Sequence, residues 1–178
     1  MNIVQAIIHL YPQAVSSVDF IVQDDSDGNG PYIAQWNLEH PQPTTEELQS
    51  AWDTMQPTPE QVLNDVRSSH INKLNAACNT SILEGFTSSA LGTDNTYDFE
   101  YHDQINLEGM LNAISAGIIT ENIIWKASGV PQPHNFEQFK VLYADGLAHK
   151  NANINKYWEL KAEAISANNA EDIVSIMW

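Results

Sequence analysis

Residues 85–111 read GFTSSALGTDNTYDFEYHDQINLEGML, and no other stretch of the chain restricts its fold as tightly. Gly85 and Gly92 stand where a helix must stop and a turn must follow, because glycine enters left-handed backbone without steric cost. From Tyr97 to Tyr101 aromatic and acidic residues alternate. A strand there would put Tyr97, Phe99 and Tyr101 on one face and Asp98 and Glu100 on the other. Leu107, Met110, Leu111, Ile114 and Ile118 then recur at helical intervals, with Asp103 as the expected N-cap. The stretch therefore predicts a hinge between two helices, its aromatic face packed on the C-terminal helices. Gly92→Val is expected to unfold the module.

The preceding residues set out two modules. Asn2 to Tyr11 predicts a short buried helix stopped by Pro12, with a strand as the competing reading. The β-rich segments 19–23 and 32–37 flank DDSDGNG and predict a hairpin. Thr44 and Glu47 have capping-box spacing before a helix over 46–55, and Thr58, Pro59 and Gln61 repeat the device. The module boundary is placed there. A long amphipathic helix follows, carrying Leu63, Val66, Ile71, Leu74, Ala77, Cys78 and Ile82 and ending at Gly85. Beyond the central stretch, residues 122–127 predict a second strand, turning at Gly129, that would pair with 97–101. Asn135 is the expected N-cap of a helix broken by Gly146, and a further helix spans 148–166. Asn169 and Asp172 open a last one, with Ile173, Ile176 and Met177 facing inward.

Charge limits the functions open to such a chain. Seven Lys plus Arg stand against 23 Asp plus Glu, a formal charge of −16. That charge repels phosphate backbones and anionic lipid, so neither nucleic acid nor a membrane is an expected partner. The lone Cys78 excludes an internal disulfide and reads as a small buried hydrophobe. The opening MNIVQAIIHLYP has no basic region or cleavage site, and no apolar run reaches the roughly 18 residues of a bilayer span, so a soluble cytoplasmic protein is expected.

Motifs that carry chemistry are sparse. Asp25, Asp27, Asn29 and Gly30 match the first half of a calcium loop, but Trp36 occupies the position that needs a bidentate carboxylate. Turn chemistry alone accounts for such a fragment. The six histidines, among them His102 beside Asp103 and His134, have no ligand spacing. His102 is best read as a turn residue next to a capping Asp103. Ser88 and Ser89 lack the frame of a nucleophile elbow, and no phosphate-binding glycine loop occurs. No cofactor and no enzymatic activity are expected. Of the five tryptophans, Trp36, Trp125 and Trp158 are read as core, whereas Trp52 and Trp178 are contact candidates along with Gly85, Phe86 and Gly92.

The opening third, MNIVQAIIHLYPQAVSSVDFIVQDD followed by GPYIAQWNLEHPQPTTEELQSAW, resembles the XkdW family of small proteins from Bacillus prophages and phage-like elements. The remainder resembles a second phage module, a domain of uncharacterised function found in tail-fibre-associated proteins. That likeness rests on ILEGFTSSALG, the 97–101 strand, DQINL and the C-terminal AEAI through IMW. Many relatives of this module carry a Thr after the histidine where this chain has Pro133-His134-Asn135, so no role is carried over to His134. The resemblance implies a tail-fibre assembly chaperone or tail structural protein whose partner is a tail fibre or other tail protein. It implies action in the host cytoplasm, with retention in the virion tail and self-association left open. The rivals are a phage lytic or cell-wall hydrolase accessory and a calcium-stabilised adhesion module. The expected fold class is α+β: a helix-hairpin-helix module over residues 1–56, then a mainly helical module over 57–178 with a short two-stranded sheet.

Overall fold

The computed structural model describes residues 1–178 and mixes helix and strand, with 54% of the chain helical. Its contacts divide it into two units, Met1–Val62 and Leu63–Trp178.

The first unit contains α1 (Ile3–Leu10), β1 (Phe20–Gln23), β2 (Tyr32–Trp36) and α2 (Thr45–Met55). Asn2 caps α1 through a bond from the Gln5 amide, and Pro12 follows its end. The two strands pair antiparallel with a bulge between Ile21 and Val22. Thr44 and Glu47 form the reciprocal capping box that their spacing announces. The Glu47 carboxylate accepts the Thr44 amide at 2.7 Å. The core gathers Ile3, Ala6, Ile7, Ala14, Phe20, Leu48 and Ala51, with Trp36 and Trp52 packed against it.

The second unit is built on α3 (Pro59–Leu83), which begins just before the division, and α5 (Phe136–Ser166). Between them lie β3 (Phe86–Ser88), β4 (Asn95–Tyr97), α4 (Tyr101–Ser115), β5 (Ile123–Ala127) and β6 (Val130–His134); α6 (Ala170–Ser175) closes the chain. There are two small sheets here instead of one, because β4 pairs with β3 and β5 pairs with β6. The expected partnership of 122–127 with 97–101 reduces to a docking of the β5–β6 turn, where the Ser128 amide donates to Thr96 O at 2.8 Å. Ser128 and Gly129, both at positive φ, make the two-residue turn that suits a right-twisted hairpin. Pro131 and Pro133 alternate along β6, so the positions they occupy are those whose amides would point away from β5.

Three further expectations need correcting. The strand ends at Tyr97 because Glu100 and Asp103 form a capping box that starts α4 at Tyr101. Asp103 is thus the third residue of the helix and not the cap, and Tyr101 is exposed. Gly146 does not break a helix. It lies inside α5, where a Cβ would stand 3.0 Å from both Phe86 Cζ and Phe99 Cε2, so its missing side chain makes room for two rings. Ile118, expected to continue the helical spacing, and Met177, expected to face inward, are both exposed beyond the ends of their helices.

Candidate functional site

The central stretch forms the aromatic heart of the second unit. Phe86 on β3 stacks on Tyr97 of β4 with ring centroids 5.6 Å apart and meets the edge of Phe99 at 5.0 Å, both arrangements that ring quadrupoles favour. His149 of α5 lies over Phe86 at 6.1 Å and turns Nε2 to Ser81 O. Gly85, at φ +93°, places its Cα so that an added Cβ would stand 2.5 Å from Tyr97 O. The two glycines of the stretch therefore differ. Gly92, at φ +88°, has nothing within 4 Å, so a side chain there meets backbone strain but no clash.

Behind this face sits the residue that the sequence left without a role. His134 is fully buried, with Nε2 3.0 Å from Tyr97 Oη and Nδ1 3.0 Å from Gln132 O. A carbonyl can only accept, so Nδ1 carries the proton and Nε2 accepts from the tyrosine hydroxyl. The neutral imidazole satisfies both partners at once. Burial pushes the His134 pKa below its ordinary value and the Tyr97 pKa above its own, the latter reinforced by the Asp145 charge. This pair ties the β3–β4 sheet to the β5–β6 hairpin. Only the aromatic at 97 and the histidine closing a β-rich run hinted at it.

Ser88, Asp145 and His149 line one recess beside β3, together with Ser89 and Asp94. Ser88 Oγ donates to Asp145 Oδ2 at 2.6 Å and accepts from the Ala90 amide at 3.1 Å. With the imidazole directed at Ser81 O, the three do not form a nucleophile–base chain. Ser89 bonds Asp94 across the Gly92 turn. His102 is exposed on the first turn of α4, 3.7 Å from Glu100 and 3.6 Å from Asp103. Such contacts are worth little in water. Cys78 is buried, and burial raises its thiol pKa.

In the acidic loop of the first unit the carboxylates serve the turn. Asp27 accepts from the Asn29 amide at 3.0 Å and from its side chain at 2.9 Å. Those two bonds favour the charged carboxylate and lower the Asp27 pKa. Asp25 accepts from Gln23 and from Tyr32 Oη. No group of three His, Cys, Asp or Glu side chains converges as a metal cage would require.

The contact candidates are scattered. Trp52 is partly covered by the core of its unit, and Phe86 is buried within the other. Trp178 donates to Ser81 Oγ at 2.8 Å, and Lys156 lies 4.4 Å from its ring centre, close enough for a cation–π attraction. Trp158, expected in the core, is instead exposed.

Residues 65–176 match the family described as a domain of unknown function, DUF4376, and residues 3–60 match the family described as XkdW protein. The chain belongs to the DUF4376 family and carries an XkdW domain at its N-terminus. Over 58 residues it is 48% identical to the uncharacterized protein YqcD of Bacillus subtilis (strain 168), which covers 33% of this chain and 52% of the relative. It is 46% identical over 59 residues to the phage-like element PBSX protein XkdW of the same organism, again 33% of this chain and 52% of the relative. The chain thus spans about half the length of the curated relatives it matches. The solution NMR structure of the PBSX protein XkdW aligns at 46% identity over 32% of this chain and 92% of that one, with a TM-score of 0.28. No helix is long and apolar enough to cross a membrane.

Proposed function

We propose that this chain is a phage tail-region protein that works without catalysis, by binding a tail fibre or another tail protein during assembly or as a fitted part of the tail. The observation that carries the phage setting is the 46% identity of its XkdW domain to the PBSX protein XkdW. The tail partner follows from the resemblance of the second module to domains of tail-fibre-associated proteins. An acidic surface with exposed aromatic and aliphatic side chains suits protein contact and repels nucleic acid. Assembly places its action in the host cytoplasm.

The test is co-expression with a tail-fibre protein of the same phage element, followed by size-exclusion chromatography. A complex of the two, or fibre trimers that form only in its presence, supports the reading. Fibre that trimerises equally well alone, with no complex recovered, overturns it.

A further inference from the structure

The long helix α5 carries a line of exposed apolar side chains, interrupted by Ile154, which packs on the core. Leu147, Trp158 and Ile165 are 44%, 61% and 56% exposed. Their spacings of 11 and 7 residues, at about 100° per residue, bring all three within about 20° of one another along roughly 27 Å of helix. Lys150 and Lys161 flank the seam, and neither is paired with a carboxylate; the lysine ion pairs of the protein use Lys126 and Lys140. Lys150 donates instead to the neutral Gln104 side chain. Residues 147–165 hold three lysines and two carboxylates, and at about 100° per residue Glu159 and Glu163 lie on the far side of the helix from Lys150 and Lys161.

The first unit has the opposite character. Met1–Val62 contains nine carboxylates and not one lysine or arginine. Its surface raises an apolar knob: Val15 and Val18 are 55% and 64% exposed, with Ile21 on the outward side of β1 at 38%. The knob is held in shape by the Val15 amide donating to Asp19 Oδ2 at 2.8 Å and by Val15 O accepting from the Val18 and Asp19 amides.

We propose that these surfaces meet between copies: the Val15–Val18–Ile21 knob of one molecule docks on the Leu147–Trp158–Ile165 seam of a second, its acidic surroundings facing Lys150 and Lys161. Charge decides this occupant over the simplest rival. Antiparallel pairing of α5 with itself would set Leu147 against Ile165, but it would also bring Lys150 opposite the second copy's Lys161, a like-charge contact. An exposed tryptophan at the centre of a seam is a typical anchor for such a contact. The pairing is head-to-tail, so it either closes on itself or grows. It stands apart from the tail-partner reading and concerns the purified chain alone.

Sedimentation velocity over a concentration series tests it. Wild type is expected to associate, whereas Val18→Glu and Trp158→Glu each weaken association roughly 30-fold or more, as loss of an interface anchor does. Mixed one to one, the two variants are expected to form a dimer and nothing larger, because each supplies the surface its partner lacks. Both sites are exposed, so far-UV circular dichroism should not change; Val15→Asn replaces Val18→Glu if that chain misfolds. Wild type that stays monomeric, association that survives either substitution, or a mixture that remains monomeric overturns the contact.

Discussion

Gly85→Ala set against Gly92→Ala separates backbone strain from steric clash within one short stretch. Both glycines have positive φ, +93° and +88°. Alanine at either therefore carries a conformational cost of about 1–2 kcal/mol. At Gly92 the cost ends there, because the added carbon meets nothing within 4 Å. At Gly85 the new carbon would stand 2.5 Å from the backbone oxygen of Tyr97, roughly 1 Å inside ordinary contact. That oxygen belongs to β4, which cannot retreat without loosening its ladder to β3. One or two weakened hydrogen bonds add about 0.5–1.5 kcal/mol each. Gly85→Ala should therefore cost about 1.5–5 kcal/mol and Gly92→Ala about 1–2 kcal/mol. Urea unfolding followed by far-UV circular dichroism, with a common slope for both variants, measures the difference. Equal losses would mean that the Tyr97 carbonyl is free to move, and the account of the β3–β4 junction would fail.

Three other outcomes follow from the same packing. Because His134 has a pKa below its ordinary value when folded and near 6.5 when unfolded, the unfolded chain binds the proton more readily. Stability is complete above about pH 6.5 and falls as pH drops toward the folded value, a slope that pH-dependent thermal melts should show and that His134→Gln should flatten. Gly146→Val should lose about 1–3 kcal/mol by overpacking against Phe86 and Phe99, read from the urea midpoint. Arg67, the only arginine, donates Nε to Ala164 O at 3.1 Å and Nη2 to Ala167 O at 3.0 Å at the end of α5. Arg67→Met should cost about 1.5–3 kcal/mol in the same assay and speed amide exchange in the last turn of that helix.

Several helix starts were legible because they are written three residues apart: Thr44 with Glu47, Thr58 with Gln61 and Asn169 with Asp172 bond as their spacing announces, and Asn135 caps α5 as expected, whereas at α4 the cap is Glu100 and not Asp103. Short strands were not. The three residues of β3 are too few to display alternation, and the prolines of β6 disguise a strand whose inward amides are all intact. The aromatic alternation at 97–101 misled past Tyr97, since the capping demand of Glu100 and Asp103 outweighs strand propensity there. Gly146 looked like a helix stop because its reason lies in Phe86 and Phe99, 60 and 47 residues earlier in the chain. No local pattern reports a ring packed from that distance. The same blindness put Trp158 in the core and left His134 without its partner Tyr97.

The alternation of prolines on β6 has a consequence for the protein in concentrated solution. A strand whose outward positions present carbonyls without matching amides is a poor template for another strand, so the β5–β6 hairpin resists lengthening by recruitment of a neighbour's backbone. At the other end of the pair, the docked Ser128 already occupies the approach from β4. The β6 edge is thereby kept from seeding cross-β growth when many copies crowd together.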